Sequence, residues 1–334
     1  MPPHRLIPTT YPRITGEVAN AVLDVLAGQP TDDVARRIDM DPVSLSDAVD
    51  AFVAAGTDAT FRHQYRPSWL QVYVEFPGWH DADHIAAEHL LPLLLDMENS
   101  GFLSNWWFIR KHPYWRLRMY SSDEKQAREQ LCARLDKLVG AGNLRGWRPG
   151  AYEPETAAFG GPTGMTIAHR LFAADSRHVL TQPAGSKLPL GRREVSLLLC
   201  TVMMRAAGLE WGEQGDVWDR VISEQHRNAA ELTHKVNTLA ITVRPLLLGD
   251  LSSNGVLFGR GMPLNRVAGW AAAFEAAGHT LRTAQGRGAL ERSVRRTLAY
   301  HVIFHWNRQG LSHGVQSALA LAARTAVLDP PHPV

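Results

Sequence analysis

The apolar period changes abruptly at residue 69, and that change limits the fold more than any other feature of the sequence. "WLQVYVEF" (69–76) alternates between two faces and is rich in aromatic and β-branched residues, as a strand requires. "NWWFIRK" (105–111) and "WRLRMY" (115–120) repeat the pattern around a proline-containing turn. Helical spacing fills residues 82–98 and 122–140, where Ser122 is expected to cap the second helix and Gly140 to stop it. The order β-α-β-β-α predicts an α+β layer, an antiparallel sheet with helices packed on it. From about residue 163 the pattern is mainly helical, with helices expected at 163–180, 191–208, 215–247 and 263–280 and a long segment at 289–326.

Ahead of the strands, residues 1–66 read as a separate winged-helix-like helical head, leaving 67–334 as the main domain. "TGEVANAVLDVLAG" has apolar spacings of three and four and ends at Gly28. "TDDVARRI" has Thr31 placed as N-cap, and "DPVSLSDAVDAFVAAG" has Asp41 as cap, Pro42 in the first turn and Gly56 as stop. A helix-turn-helix that reads DNA needs basic residues on its recognition helix, because phosphate contacts supply most of the affinity. No Lys or Arg lies between Asp39 and Phe61, so nucleic acid is excluded as a partner. A peptide-binding or structural head remains. It holds nine acids and six arginines, net −3, which leaves +5 on the remainder of a chain with formal charge +2.

No apolar run is long enough to span a membrane, and "MPPHRLIPTTYPR" lacks the apolar core of a secretory signal. Cys132 and Cys200 lie far apart in helical patterns, as expected of reduced thiols in the cytoplasm.

Three arginines stand in "FIRKHPYWRLRMY" (108–120). Arg116 and Arg118 are two apart on one strand and share a face. Arg110, on the neighbouring strand, is placed to join them. This is either a solvated sheet face or a surface for carboxylates and peptide carbonyls, which the guanidinium fork suits. "AYEPETAAFGG" (151–161) brings Glu153 and Glu155 to a Gly-Gly turn, and "FAADSRHVL" (172–180) offers Asp175 and Ser176. In "TLAYHVIFHWNRQGLSHG" (297–314), His301, His305, Arg308 and Ser312 form one helical stripe. The stripe is either core or the second wall of a cleft facing the arginines. Two histidines without a third ligand or an H-E-x-x-H do not make a metal site. There is no G-x-S-x-G elbow and no phosphate loop, so no cofactor is expected.

In order, "WLQVYVEF", "WWFIRKHPYWRLRMY", "YEPETAAFGG", "FAADS" and "HWNR" resemble the thiopeptide-type bacteriocin biosynthesis domain. This is the elimination domain of class I lanthipeptide dehydratases, also found as stand-alone proteins; the resemblance covers about residues 68–320. In the glutamate-eliminating branch the Gly-Gly turn reads Y-x-R-E-x-x-R-Y-G-G. Tyr152, Glu155, Gly160 and Gly161 match, while Pro154 and Ala158 replace the arginines, which argues against elimination. Tyr114 and Trp115 replace polar positions in the arginine strand, a change that suits a flat thiazole-bearing peptide. The resemblance therefore implies a pyridine synthase of thiopeptide biosynthesis. Such an enzyme carries out a formal aza-[4+2] cycloaddition between two dehydroalanines of a precursor peptide, with loss of water and of the leader.

Proton transfers in that reaction are implied for His305, within the family's H-x-N-R, with Tyr300, Glu155 and Ser176 as partners. Substrate contacts are implied for Arg110, Arg116, Arg118, Trp115, Tyr152, His301, Asn307 and Arg308. The partner is the modified precursor peptide, leader plus thiazole and dehydroalanine core, and other pathway enzymes are possible partners. Leader recognition is expected on the basic body near the sheet. The alternatives are a stand-alone glutamate-elimination component and a non-catalytic peptide-binding protein.

Overall fold

The computed structural model describes residues 14–64, 68–182, 189–224, 233–252 and 255–329. The chain divides into two compact units, Met1–Pro67 and Ser68–Val334.

In the first unit, α1 (Ile14–Leu26), α2 (Thr31–Arg37) and α3 (Pro42–Gln64) enclose a small core of Ala21, Val22, Val34, Ala35 and Leu45. Asp41 caps α3, its carboxylate accepting from the Ser44 amide at 2.9 Å. Three expectations are corrected. Thr31 is the first helical residue of α2 rather than its cap. Gly56 does not stop α3, which runs on to Gln64. No strand occurs among the described residues 14–64, so no wing accompanies these helices.

The second unit is built on an antiparallel sheet of order β2-β3-β1-β4. Its strands are β1 (Ser68–Glu75), β2 (Asn105–Lys111), β3 (Tyr114–Ser121) and β4 (Gly146–Gly150). The short glycine-bounded β4, "GWRPG", carries too little alternation to be read from sequence and adds an edge strand to the expected order. Between β1 and β2 the chain forms α4 (Ala82–Ile85), a π-helical turn (Ala86–Leu90) and α5 (Leu91–Asn99). Helix α6 (Glu124–Gly140) follows β3; its cap is Asp123, whose carboxylate accepts from the Gln126 amide at 3.0 Å, and not Ser122.

Strand alternation sends Leu70, Val72, Val74, Trp106, Phe108, Trp115, Leu117 and Met119 into one core with Leu94, Leu131 and Leu135 of α5 and α6. On the other face, Trp107 and Ile109 pack with Phe159, Met165, Phe172 and Phe304. These come from the Gly-Gly turn, from α7 (Gly161–Thr181) and from α12 (Val294–Gln309). Helix α7 also covers the β2 edge, where the Phe108 amide donates to Ser176 Oγ at 3.2 Å. A sheet edge left bare would expose such donors to other chains.

The helical half continues with α8 (Arg192–Ala206), α9 (Trp211–Glu224), α10 (Thr233–Leu248), α11 (Ala268–Gly286) and α13 (His313–Leu328). Of the helix expected over 215–247, the described residues are helical as α9 up to Glu224 and α10 from Thr233; 225–232 lie outside the described residues. The expected 289–326 segment is two helices, because Gly310 takes φ 71° and closes α12. No described helix is long and apolar enough to cross a membrane.

Candidate active site

The β2–β3 register decides which arginines share a face. Trp107 pairs with Arg118 and Ile109 with Arg116, while Arg110 pairs with Trp115. Residues directly opposite in an antiparallel ladder point the same way. Arg116 and Arg118 therefore share a face, as their spacing predicts, and Arg110 points to the other. The expected three-arginine surface is corrected. Arg110 forms ion pairs with Asp83, lies 4.5 Å over the Trp115 ring, and has its pKa lowered to about 10 chiefly by burial. Trp115 is a core ring stacked on Phe108 at 4.6 Å and takes no part in a substrate surface.

Arg118 is only 3% exposed. Its guanidinium sits in the corner formed by two edge-to-face rings, 4.3 Å from the centroids of both Trp107 and Tyr152. Nε donates to Gln71 Oε1 at 2.8 Å, and the Gln71 amide in turn donates to the Ala151 carbonyl at 2.7 Å. Glu155 approaches Nη2 at 3.8 Å, leaving Nη1 without a partner. Burial lowers the Arg118 pKa and Glu155 opposes the shift.

Tyr152 extends the site. Its hydroxyl is hydrogen-bonded to His169 Nε2 at 2.7 Å, and the imidazole lies 4.3 Å from the Trp69 ring. Burial, and then the Arg118 charge, lower His169 to about 4. Burial raises the Tyr152 phenol well above its usual value. Both groups are thus neutral near pH 7, a hydroxyl and an imidazole joined by one short hydrogen bond. The segment carrying Tyr152 and Glu155 is held by the Gly160–Gly161 turn, with φ of 83° and 90°, a region that costs a side-chain-bearing residue strain.

The α12 stripe is elsewhere. His305 and Arg308 are fully buried on Asp175 of α7, with His305 Nδ1 at 2.9 Å and Arg308 Nε at 2.6 Å. Trp270 Nε1 donates to the same carboxylate at 2.9 Å. Burial raises the Asp175 pKa, but His305 and Arg308 together bring it down to about 2. Two rings separate this cluster from the sheet arginine: Arg308 lies 4.3 Å from Phe172, and Phe172 4.7 Å from Trp107. The expected trough between His305 and Arg118 is corrected to an aromatic partition.

Other assignments change for equally local reasons. Ser176 is buried and receives the Phe108 amide, so it does not reach a reacting amide. Asn307 Oδ1 accepts from Gln316, fastening α12 to α13. His301 is buried against Phe159 and Phe172, and burial lowers it to about 3. Tyr300 donates to Glu224 at 2.6 Å and flanks the cluster from the far side of Phe159.

Trp69, Gln71, Trp107 and His169 were not among the sequence candidates. Gln71 had a readable signal, since Trp69, Gln71 and Tyr73 share the non-aliphatic face of β1. Nothing local marks His169.

Residues 69–327 match the family model described as lantibiotic biosynthesis dehydratase C-term, and the chain belongs to that family. Among solved structures it resembles MibB, a tRNA-dependent lantibiotic dehydratase from Microbispora sp. 107891, with a TM-score of 0.55 and 20% identity over 78% of this chain. The match spans 28% of MibB's length. TsrL aligns with a TM-score of 0.53 and 16% identity, covering 78% of this chain and 94% of TsrL. TbtD, the pyridine synthase from thiomuracin biosynthesis, aligns at 0.52 and 13% identity over 78% of this chain and 98% of TbtD. No curated protein sequence matches this chain.

Proposed function

We propose that the chain is a pyridine synthase acting on a ribosomally made precursor peptide that carries thiazoles and dehydroalanines. In this reading the 2π partner is one dehydroalanine alkene. The azadiene is the second dehydroalanine with its preceding amide in the iminol form. Two bonds close the ring, and loss of water and then of the leader as an amide leaves the pyridine. The observation that carries the proposal is the environment of Arg118, a cation walled by Trp107 and Tyr152 and already faced by Glu155. A charge-balanced, ring-lined site suits a neutral heteroaromatic amide better than a departing glutamate, which brings its own negative charge. Pro154 and Ala158, where the dehydratase branch has arginines, agree with it.

Arg118 Nη1, with no protein partner, is the donor for the amide carbonyl that becomes the iminol oxygen. Tyr152 is hydrogen-bonded to His169 and serves as the proton relay: it takes the amide N–H proton while passing its own to Nε2, and the reverse transfer from Nε2 through Tyr152 delivers a proton to the amide oxygen, completing the iminol. Positioned general acid–base groups of this kind contribute about 10²–10⁴-fold. Holding the two alkenes together contributes more, about 7–11 kcal/mol. His305 and Arg308 support α7 behind the site rather than touching substrate.

The test is mass spectrometry of a bis-dehydroalanine, thiazole-containing precursor incubated with the protein. The expected result is a product that has lost water, with intact leader amide released. Dehydroalanine formed from a glutamylated peptide, with no ring closure, would overturn the proposal in favour of glutamate elimination.

A further inference from the structure

Gln71 occupies the central rung of the sheet face that carries Arg118. On β1 it is the cross-strand partner of Arg118 on β3 and of Gly150 on β4. It is only 4% exposed, and burying a primary amide costs stability unless both of its ends are bonded. Both are. Oε1 accepts from Arg118 Nε at 2.8 Å, and Nε2 donates to the Ala151 carbonyl at 2.7 Å. Only one orientation of the amide satisfies the two, since Arg118 can only donate and the carbonyl can only accept. Gly150 leaves the space this needs, because a Cβ there would lie 2.2 Å from the Tyr73 ring and 3.1 Å from Gln71 Nε2. Gln71 thus joins Arg118 to the backbone of the residue before Tyr152.

The second observation is the length of the Arg118–Glu155 pair. At 3.8 Å the two groups face each other without a hydrogen bond, where a charge-assisted contact closes to about 2.7–2.9 Å. Other arginines reach their carboxylates: Arg308 meets Asp175 at 2.6 Å, and Arg134 meets Asp96 and Arg324 meets Asp219 at 2.9 Å. Arg145–Glu75, also long at 3.5 Å, is a surface pair. Arg118 Nη1 and Glu155 Oε2 are both buried, and neither has a protein hydrogen-bond partner. Folding alone favours closing that gap, because a bidentate pair would satisfy both atoms at once.

We infer that Gln71 is a positioning residue that holds Arg118 short of its own counter-ion and so keeps Nη1 free for the substrate. The inference rests on the reading above, in which Nη1 donates to the amide carbonyl of the peptide. The guanidinium is a rigid planar fork, so fixing Nε fixes the directions of both Nη atoms. An apolar side chain at position 71 would release the fork to turn onto Glu155, and a carboxylate there would supply a rival counter-ion. The neutral amide does neither. Its second bond, to Ala151, ties the same side chain to the segment that carries Tyr152 and Glu155. One residue therefore spaces the donor, the proton relay and the counter-ion.

The test is a double-mutant cycle on the full chain, read by the kinetics of ring closure on the bis-dehydroalanine precursor. Gln71→Met keeps the length of the side chain and removes both of its bonds. It should lower kcat about 10²-fold, as loss of one aimed donor does, with KM changed by less than about threefold. Adding Glu155→Gln removes the competing carboxylate and should recover about tenfold of that loss, whereas the same change in the parent should give no gain. A residue that merely supports the fold would not produce such a reversal. Should Gln71→Met fail to fold, Gln71→Asn, too short to reach both partners, takes its place with the same expectations. Glu155→Gln acting by the same factor in both backgrounds would overturn the inference. A second reading needs no turnover: in nuclear magnetic resonance of the protein with isotope-labelled arginine, the restrained Nη–H signals of a closed pair should appear for Arg118 in Gln71→Met and vanish on adding Glu155→Gln. Their absence in Gln71→Met would also overturn it. If the parent closes no ring, the pyridine synthase reading falls and the arginine signals alone decide the role of Gln71. If the parent closes the ring and the two substitutions act independently, the role of Gln71 falls and that reading stands.

Discussion

Asp175→Asn distinguishes a buried scaffold from a catalytic cluster. The carboxylate is completely buried and receives His305 Nδ1, Arg308 Nε and Trp270 Nε1 within 2.6–2.9 Å. Asparagine keeps the shape but removes the charge, while Arg308 stays buried with Nη1 and Nη2 already unpartnered. Breaking a buried pair from one side costs about 3–5 kcal/mol, since the remaining charge is uncompensated. For a unit of this size, at about 2–4 °C per kcal/mol, melting should fall by about 6–20 °C. Part of this is linked to pH. The Asp175 pKa is about 2 in the fold against 3.8 ordinarily, which corresponds to about 2 kcal/mol. A depressed carboxyl stabilises the fold above its unfolded pKa and loses that contribution as pH falls. The gap between the two proteins should therefore narrow between about pH 4 and pH 2. Circular dichroism melts at pH 7 and at stepped acid pH supply both readings. Pairing Asp175→Leu with Arg308→Met should recover most of the loss, because no charge is then left buried. If Asp175→Asn melted within about 2 °C of the parent yet abolished turnover, the scaffold argument would be wrong and the cluster would belong to the chemistry.

Arg118→Gln removes the free Nη1 donor while leaving the Trp107 and Tyr152 walls, so kcat for the precursor should drop about 10²-fold or more with a smaller change in KM. Loss of peptide affinity alone, at unchanged kcat, would make the arginine a binding group only. His301 is fully buried and lowered to about 3, so it is neutral in the fold while the unfolded chain takes up a proton below about pH 6.5; the fold loses stability as pH falls through that range. His301→Leu should lessen this loss by about 2 kcal/mol at pH 5 in urea titrations, and an unaltered acid profile would contradict its burial. Gly164→Ala places a Cβ 1.8 Å from the Phe159 carbonyl oxygen. It should displace the Gly-Gly turn, lowering turnover and the melting temperature together, whereas a fully active, equally stable variant would show that the turn tolerates movement.

What could be read from sequence follows the range of the interactions involved. Alternation in "WLQVYVEF" and "WRLRMY" is local, so the strands and the shared face of Arg116 and Arg118 were legible. The register between strands is not local. An offset of one residue sends Arg110 to the far face, and the sequence of β2 alone carries no sign of it. Helical spacing likewise showed that His301, His305 and Arg308 form a stripe, but a stripe of polar residues reads the same whether it faces a cleft or a buried counter-ion. Asp175 decides between them from another helix, 130 residues from His305. The same separation explains His169: only the folded chain brings α7 against the Tyr152 segment. One consequence is chemical. With the expected base, His305, committed to Asp175 behind Phe172, the proton acceptor proposed beside Arg118 is the neutral imidazole at Tyr152. His169→Phe keeps a ring against Trp69 and removes the acceptor, so it should reduce kcat for ring closure while leaving binding of the precursor in place. A variant that lost both equally would place His169 in the architecture of the face and not in proton transfer.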